Sequence, residues 1–242
     1  MNYHWNWGIY WEASPEGTGS YADMLWSGLL VTLEVSAIAW VIALLIGAAM
    51  GVVRSLPSPW AKRISGTYIE LLRNIPLLVQ LFLWYFVMPE LVPDAWGDWL
   101  KQMPDAPFWN SAVGLGLFMS ARVAVQVSTG IAALPRGQQA AGTALGFTLP
   151  QTYWYVLLPM AFRVILPPLT SELINTIKNS SVALTIGLAE LTARTRAMQE
   201  FSFQVFEAFT AATVIYLLLN LAATWAMRLL ERRLRLPGYG AG

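Results

Sequence analysis

The sequence predicts an all-α membrane protein with five transmembrane helices. Three observations predict it. First, 56% of the 242 residues are hydrophobic, only 12% are charged, and the mean hydropathy is +0.50. Soluble domains carry about 25% charge, so this chain lacks the polar surface that water demands, whereas lipid solvates apolar side chains directly. Second, five apolar stretches approach the roughly 20 helical residues that cross a bilayer core of about 30 Å. Third, Lys and Arg gather at alternate ends of those stretches, as the positive-inside rule requires.

Segment one, residues 25–53, holds a single charge, Glu34. Segment two spans residues 64–88; its Arg73 and Asn74 precede Pro76, which leaves carbonyls unpaired at its start. Segment three, 108–134, carries Arg122 near its middle, and segment four, 161–191, is interrupted by Pro167, Pro168, Glu172 and Lys178. Segment five, 208–227, is uncharged throughout. Charges inside segments two to four must face protein or water rather than lipid. Trp26, Trp60, Trp109 and Trp225 fall near segment ends, where an aromatic belt is expected. Trp5, Trp7, Tyr10 and Trp11 suit an N-terminal stretch lying along the outer interface.

Residues 1–24 contain no Lys or Arg. Arg54, Lys62 and Arg63 follow segment one, and Arg136 and Arg163 flank the loop after segment three. Arg228, Arg232, Arg233 and Arg235 follow segment five. The expected topology therefore has the N-terminus outside and the C-terminus in the cytoplasm. Arg194 and Arg196 dissent, because they fall on the outer side of segment four; capping that segment or lining an extracellular face would accommodate them. The expected division is an extracytoplasmic segment 1–24, a transmembrane domain 25–230 and a cytoplasmic tail 231–242.

Several function classes drop out. A net charge of +1 gives no footprint for nucleic acid. With no Cys and the single His4, neither a metal site nor a disulfide is expected. No Walker-type phosphate loop is present, so nucleotide chemistry belongs to another chain. An ion-gradient transporter or channel is the alternative; five spans without an inverted repeat argue against it. An intramembrane enzyme lacks a His-based or Gly-x-Ser-x-Gly site.

The loop at 137–159 carries the function. Ala140, Ala141, Gly142 and Ala144 permit close helix packing. Pro150 is read as a break, and residues 151–158 as a second short helix ending at Pro159. Small residues, then Gly146, nine residues, and Val156-x-Leu158-Pro159 resemble the EAA motif of ATP-binding-cassette (ABC) importer permeases, with Ala140 standing where that motif has its acid. YIELLRNIPLLVQLFLWYF at 68–86 and LTSELINTIKNSSVALTIG at 169–187 resemble the second- and fourth-helix signatures of polar amino-acid permeases in this class. ARV at 121–123 and LERRLRLPG at 230–238 are most similar to the glutamate/aspartate importer permeases.

The resemblance implies a type I ABC importer permease fold in the bacterial inner membrane. It implies no cofactor on this chain, with ATP and Mg used by a partner ATPase dimer. The other implied partners are a second permease, identical or homologous, an extracytoplasmic amino-acid-binding protein and the surrounding lipid. Ala140, Ala141, Gly146, Val156, Leu158 and Pro159 would then seat in the ATPase. It implies that ATP binding draws the inner ends of the permeases together and that hydrolysis resets them.

Candidate substrate residues are Arg122, Gln80, Asn175, Lys178 and Ser181. An Arg in the membrane needs a partner. For Arg122 that partner is either a substrate carboxylate held in bidentate fashion or a buried acid such as Glu172. Glu172, Asn175 and Lys178 recur every three residues and share a helix face. Such a face is a substrate path or a subunit interface. Gln80 suits a pore contact or a hydrogen bond between helices. Glu34 reads as a packing or interface residue.

Overall fold

The computed structural model describes residues 3–15, 17 and 19–234, the side chain of Arg136 excepted. Arg235 and the 236–238 end of the tail motif lie outside the described residues. The described secondary structure is helical, apart from an isolated bridge between Ala13 and Ser20. In chain order the helices are α1 (Tyr21–Ser55), α2 (Pro59–Asn74), α3 (Leu77–Leu91), α4 (Asp94–Gln102), α5 (Ala106–Ala132), α6 (Arg136–Ala144), α7 (Leu149–Ile186), α8 (Leu191–Ser202) and α9 (Val205–Leu234). Four of them, α1, α5, α7 and α9, are long and apolar enough to cross a membrane, and the bent pair α2–α3 supplies a fifth candidate.

Local chemistry sets the boundaries. Ser20 and Asp23 cap α1 reciprocally: the Ser20 N–H donates to Asp23 at 2.8 Å and the Asp23 N–H to Ser20 Oγ at 3.3 Å. Ser58 caps α2, with Pro59 in its first turn, where no N–H is needed. Segment two is not one straight span. Helix α2 stops at Asn74, Ile75 is extended, and α3 begins after Pro76, which disfavours helical backbone in the residue before it.

The long fourth segment departs most from expectation. Helix α7 begins at Leu149, twelve residues before the expected start, and does not end at Pro159. Pro150 lies in its first turn, where a missing N–H is tolerated. Residues Tyr153–Leu157 form a π-turn, and the Leu158 N–H reaches back to the Tyr153 carbonyl. That wider turn sits immediately ahead of Pro159 and lets the helix continue. The same device, Leu83–Val87 with the Met88 N–H bonded to Leu83, precedes Pro89 in α3. Helix α7 also runs through Pro167 and Pro168, tightens into a 3₁₀ turn over Ser180–Ile186, and stops at Gly187, whose φ is +89°.

The chain divides into two compact units. One comprises residues 1–40, 76–116 and 175–221. In it Ile9, Tyr21, Met24, Leu25, Leu191, Met198 and Ala208 form a buried core. The N-terminal stretch is pinned to the start of α9, where Glu207 accepts from the Asn6 N–H at 2.8 Å and from the Tyr3 hydroxyl. Tyr10 donates to the Glu207 carbonyl at 2.9 Å. Helix α8 is held by Glu190, which accepts from the Thr192 and Ala193 N–H groups and from the Tyr216 hydroxyl at 2.8–2.9 Å. Thr32 of α1 accepts from the Leu191 N–H at 3.1 Å.

The other unit comprises residues 41–75, 117–174 and 222–242. Here α1 and α5 touch through Gly47 and Gly51. A Cβ at Gly47 would lie 2.6 Å from the Ser120 carbonyl oxygen, and one at Gly51 would lie 2.6 Å from Val127 Cβ. This is a Gly-x-x-x-Gly contact, in which missing side chains let helices approach within a membrane. Tyr68 of α2 meets Ser120 of α5 at 2.6 Å, and Tyr153 of α7 donates to the Ser55 carbonyl of α1 at 2.9 Å.

Candidate functional site: the loop helix and an intramembrane ion pair

The loop at 137–159 resolves into α6 and the first turns of α7. Helix α6 ends in a Schellman motif: the Gly146 N–H bonds Thr143 at 3.0 Å and the Phe147 N–H bonds Gly142 at 3.1 Å. The motif requires a left-handed residue, and Gly146 supplies φ +81°. Thr148 then opens α7, its N–H donating to Gln151 at 2.8 Å. Gly142 is buried against Thr152, where a Cβ would come within 2.9 Å of Thr152 Cγ2. That close fit locks α6 onto the start of α7, as the small-residue run leads one to expect.

Among the expected docking residues, Ala140, Ala141, Gly146 and Pro159 are exposed, while Val156 and Leu158 are half-buried. The exposed apolar surface includes residues the motif did not mark: Leu145 is 73% exposed and Trp154 69%. Their signal was their size and apolarity close to the small-residue run at 140–144.

In the same unit, Arg122 of α5 forms an ion pair with Glu172 of α7. Arg122 Nε donates to Glu172 Oε2 at 2.6 Å and Nη2 to Oε1 at 3.4 Å, with Gln126 Nε2 also 3.4 Å from Oε1. The Glu172 side chain is 6% exposed and that of Arg122 38%. Of the two partners open to Arg122 in the sequence, the buried acid is the one it holds in this structure. The guanidinium nevertheless keeps accessible surface through which an incoming carboxylate could compete.

The remaining polar candidates belong to the other unit. Gln80 is buried on α3, whose first turns pack against the 3₁₀ end of α7. Asn175 is half-buried and Lys178 exposed, on one face by their spacing. Ser181 donates its hydroxyl to the Lys178 carbonyl at 2.7 Å. Glu34 is exposed, so it lies outside the core formed by the described residues. Arg194 and Arg196 lie on α8, beyond the end of the long apolar helix α7. The stem of Arg194 crosses Gly28, and Arg196 pairs with Glu200 at 2.8 Å. The signal for α8 was present in Leu191, Thr195 and Met198, all buried at spacings of four and three.

The family described as binding-protein-dependent transport system inner membrane component matches residues 43–236. The glutamate/aspartate import permease protein GltJ of Escherichia coli strain K12 is 46% identical over 245 residues, covering 100% of both chains. The chain belongs to this family. It is a multi-pass bacterial inner-membrane permease subunit of the amino-acid ABC class, a transport component rather than an enzyme. The glutamine transport system permease protein GlnP of the same organism is 30% identical over 96% of this chain and 98% of its own. Among solved structures, an amino acid ABC transporter with histidines aligns with a TM-score of 0.74 and 31% identity, covering 88% of this permease and 95% of that chain. The inward-facing MetNI methionine ABC transporter gives 0.73 at 19% identity over 93% and 100%, and so shares the fold. The permease therefore has the type I importer fold, and membership of its family implies an ATPase and a substrate-binding protein as partners.

Proposed function

We propose that this permease carries glutamate and aspartate, and that full-length similarity to a glutamate/aspartate import permease is the observation that carries the reading. Its N-terminus lies outside and its C-terminus in the cytoplasm. Segment 1–24 is extracytoplasmic, the domain 25–230 spans the membrane and 231–242 forms the tail. The permease pairs with a second permease, receives amino acid from the binding protein, and docks an ATPase dimer through 137–159. The ATP and Mg are used by that dimer, and this chain binds no cofactor. ATP stabilises one conformation and hydrolysis releases it, which shifts the access of the pathway.

Arg122 is the proposed contact for the substrate carboxylate, reached by exchange with Glu172. Gln80, Asn175, Lys178 and Ser181 are proposed as polar lining in their own unit. Ala140, Ala141, Gly146, Val156, Leu158 and Pro159 are proposed as the docking surface, joined by Leu145 and Trp154 on the strength of their exposure.

The test is reconstitution of the permease with its copurifying subunits in vesicles. ATP-dependent uptake of labelled glutamate, competed by aspartate and not by glutamine, is expected. Uptake by ATP-depleted vesicles holding only an ion gradient would overturn the reading. Val156→Asp should abolish ATPase copurification while leaving membrane insertion intact; unchanged copurification would remove Val156 from the docking surface.

A further inference from the structure

Helix α2 has three faces. Ser65 and Ile69 are buried on one side. On the opposite side Trp60, Ile64 and Leu71 are 72%, 61% and 56% exposed, and at about 100° per residue they fall within roughly 40° of one another. Between these sides Lys62, Arg63, Gly66, Thr67 and Glu70 line an open polar pocket of about 490 Å³, bordered by Arg54 at the end of α1. Three cations thus face one carboxylate. Neither Arg54, Lys62 nor Arg63 forms an ion pair with a described residue. Gly66 lies beside the guanidinium: a Cβ there would stand in ordinary contact with Arg54 Nη1, at 3.5 Å.

We infer that this cavity binds the phosphate of an anionic phospholipid, with the acyl chains lying along Trp60, Ile64 and Leu71. Three features argue for lipid. Only residues 56–58 separate α2 from the end of the α1 span, which places the cavity at headgroup level. A cationic pocket beside an exposed apolar stripe matches both ends of a phospholipid, whereas a free anion would leave the stripe uncovered. Clusters of Lys and Arg just beyond a membrane helix attract anionic lipid, at about a fivefold gain per cation. Arg54 and Lys62 also line a second cavity, of about 480 Å³, that reaches Pro135, Gln139 and Tyr153 beside the loop helix. A headgroup held by these two cations therefore braces the segment proposed to take the ATPase. The lipid site itself does not depend on the importer reading; only its effect on ATP hydrolysis does.

The experiment is native mass spectrometry of the detergent-purified permease with its copurifying subunits, titrated with phosphatidylglycerol, phosphatidylethanolamine or inorganic phosphate. The wild type should retain phosphatidylglycerol at least tenfold over phosphatidylethanolamine. Arg54→Gln/Lys62→Gln/Arg63→Gln should weaken it roughly a hundredfold, while Arg54→Lys/Arg63→Lys keeps it. Gly66→Asp, which removes nothing and sets a carboxylate beside Arg54, should reproduce the loss. In nanodiscs, ATP hydrolysis should rise with the phosphatidylglycerol fraction in the wild type and not in Gly66→Asp. No lipid preference in the wild type, unchanged binding in both neutralised variants, or displacement of the lipid by equimolar phosphate would overturn the proposal. So would loss of the ATPase with lipid binding intact, which would assign the cations to a protein partner.

Discussion

Replacing either member of the Arg122–Glu172 pair should destabilise the permease, and replacing both should cost little more than replacing one. Exposed ion pairs contribute up to about 1 kcal/mol, and breaking a buried one costs about 3–5 kcal/mol. Glu172 is 6% exposed and Arg122 38%, with a 2.6 Å contact between them. The pair therefore falls between these limits, at about 2 kcal/mol, or a loss of roughly 4–8 °C in melting temperature for a chain of this size. The assay is a double-mutant cycle of Arg122→Met and Glu172→Gln on the solubilised permease with its subunits. Losses that add to within about 0.5 kcal/mol would refute the coupling. Uptake kinetics then ask what the pair is for. Glu172→Gln frees the guanidinium, so a substrate carboxylate no longer competes with a resident acid. The KM for glutamate should fall by up to roughly thirtyfold, at about 1.4 kcal/mol per decade. An unchanged or raised KM in that variant would leave Arg122 as a structural group.

Gly51→Leu should lower the yield of monodisperse protein, because its Cβ meets Val127 at 2.6 Å and the Ala124 carbonyl at 2.7 Å. Overpacking of this kind costs about 1–3 kcal/mol, and a normal gel-filtration profile would contradict the close contact. Gly146→Val forces a β-branched residue into φ +81°, a strain of roughly 1–2 kcal/mol; it should weaken ATPase copurification while leaving membrane insertion unchanged. Glu190 lies outside the spans, and burial raises its pKa above the ordinary carboxylate value despite the lowering effect of its N–H donors. A raised pKa means the folded state holds the proton more tightly than the unfolded state. That advantage is complete below the unfolded value and is lost as pH rises through the folded one. The melting temperature of the wild type relative to Glu190→Gln should therefore fall from pH 5 to pH 7, and a constant or rising difference would contradict this.

Uniform hydropathy made α1 and α9 legible, and the end of α1 falls within two residues of expectation. Segment two reads as one span by hydropathy, and its break before α3 follows from Pro76, which acts on its neighbour locally. Pro150 and Pro159 misled for the opposite reason: a proline in a first turn costs nothing, and one preceded by a π-turn is accommodated, yet neither context is written in the proline itself. Helix α8 and the N-terminal strap depend on single buried acids, Glu190 and Glu207, whose partners lie up to 204 residues away in sequence. No local pattern encodes that. Arg122 could be singled out because a membrane cation must be satisfied. Its partner was legible only as one of two choices, since pairing depends on how α5 meets α7.

The continuity of α7 changes what the loop at 137–159 could do as a docking segment. Two short helices would hinge at Pro159 and dissipate a push. One helix from Leu149 onward carries Val156 and Leu158 near its start and Glu172 further along. The interval from Leu158 to Glu172 is about 21 Å at 1.5 Å per residue, and both ends belong to one compact unit. On the docking role proposed for the loop, movement of the ATPase would reach Glu172 through one continuous helix, in which Pro159, Pro167 and Pro168 are the points able to bend. A displacement of an ångström or two matters at a 2.6 Å contact, because charge-assisted hydrogen bonds tolerate little stretching. The nucleotide state would thus set how firmly Glu172 holds Arg122. On the substrate role proposed for Arg122, the guanidinium would be available to a carboxylate in one conformation and engaged in the other, the differential binding that alternating access requires.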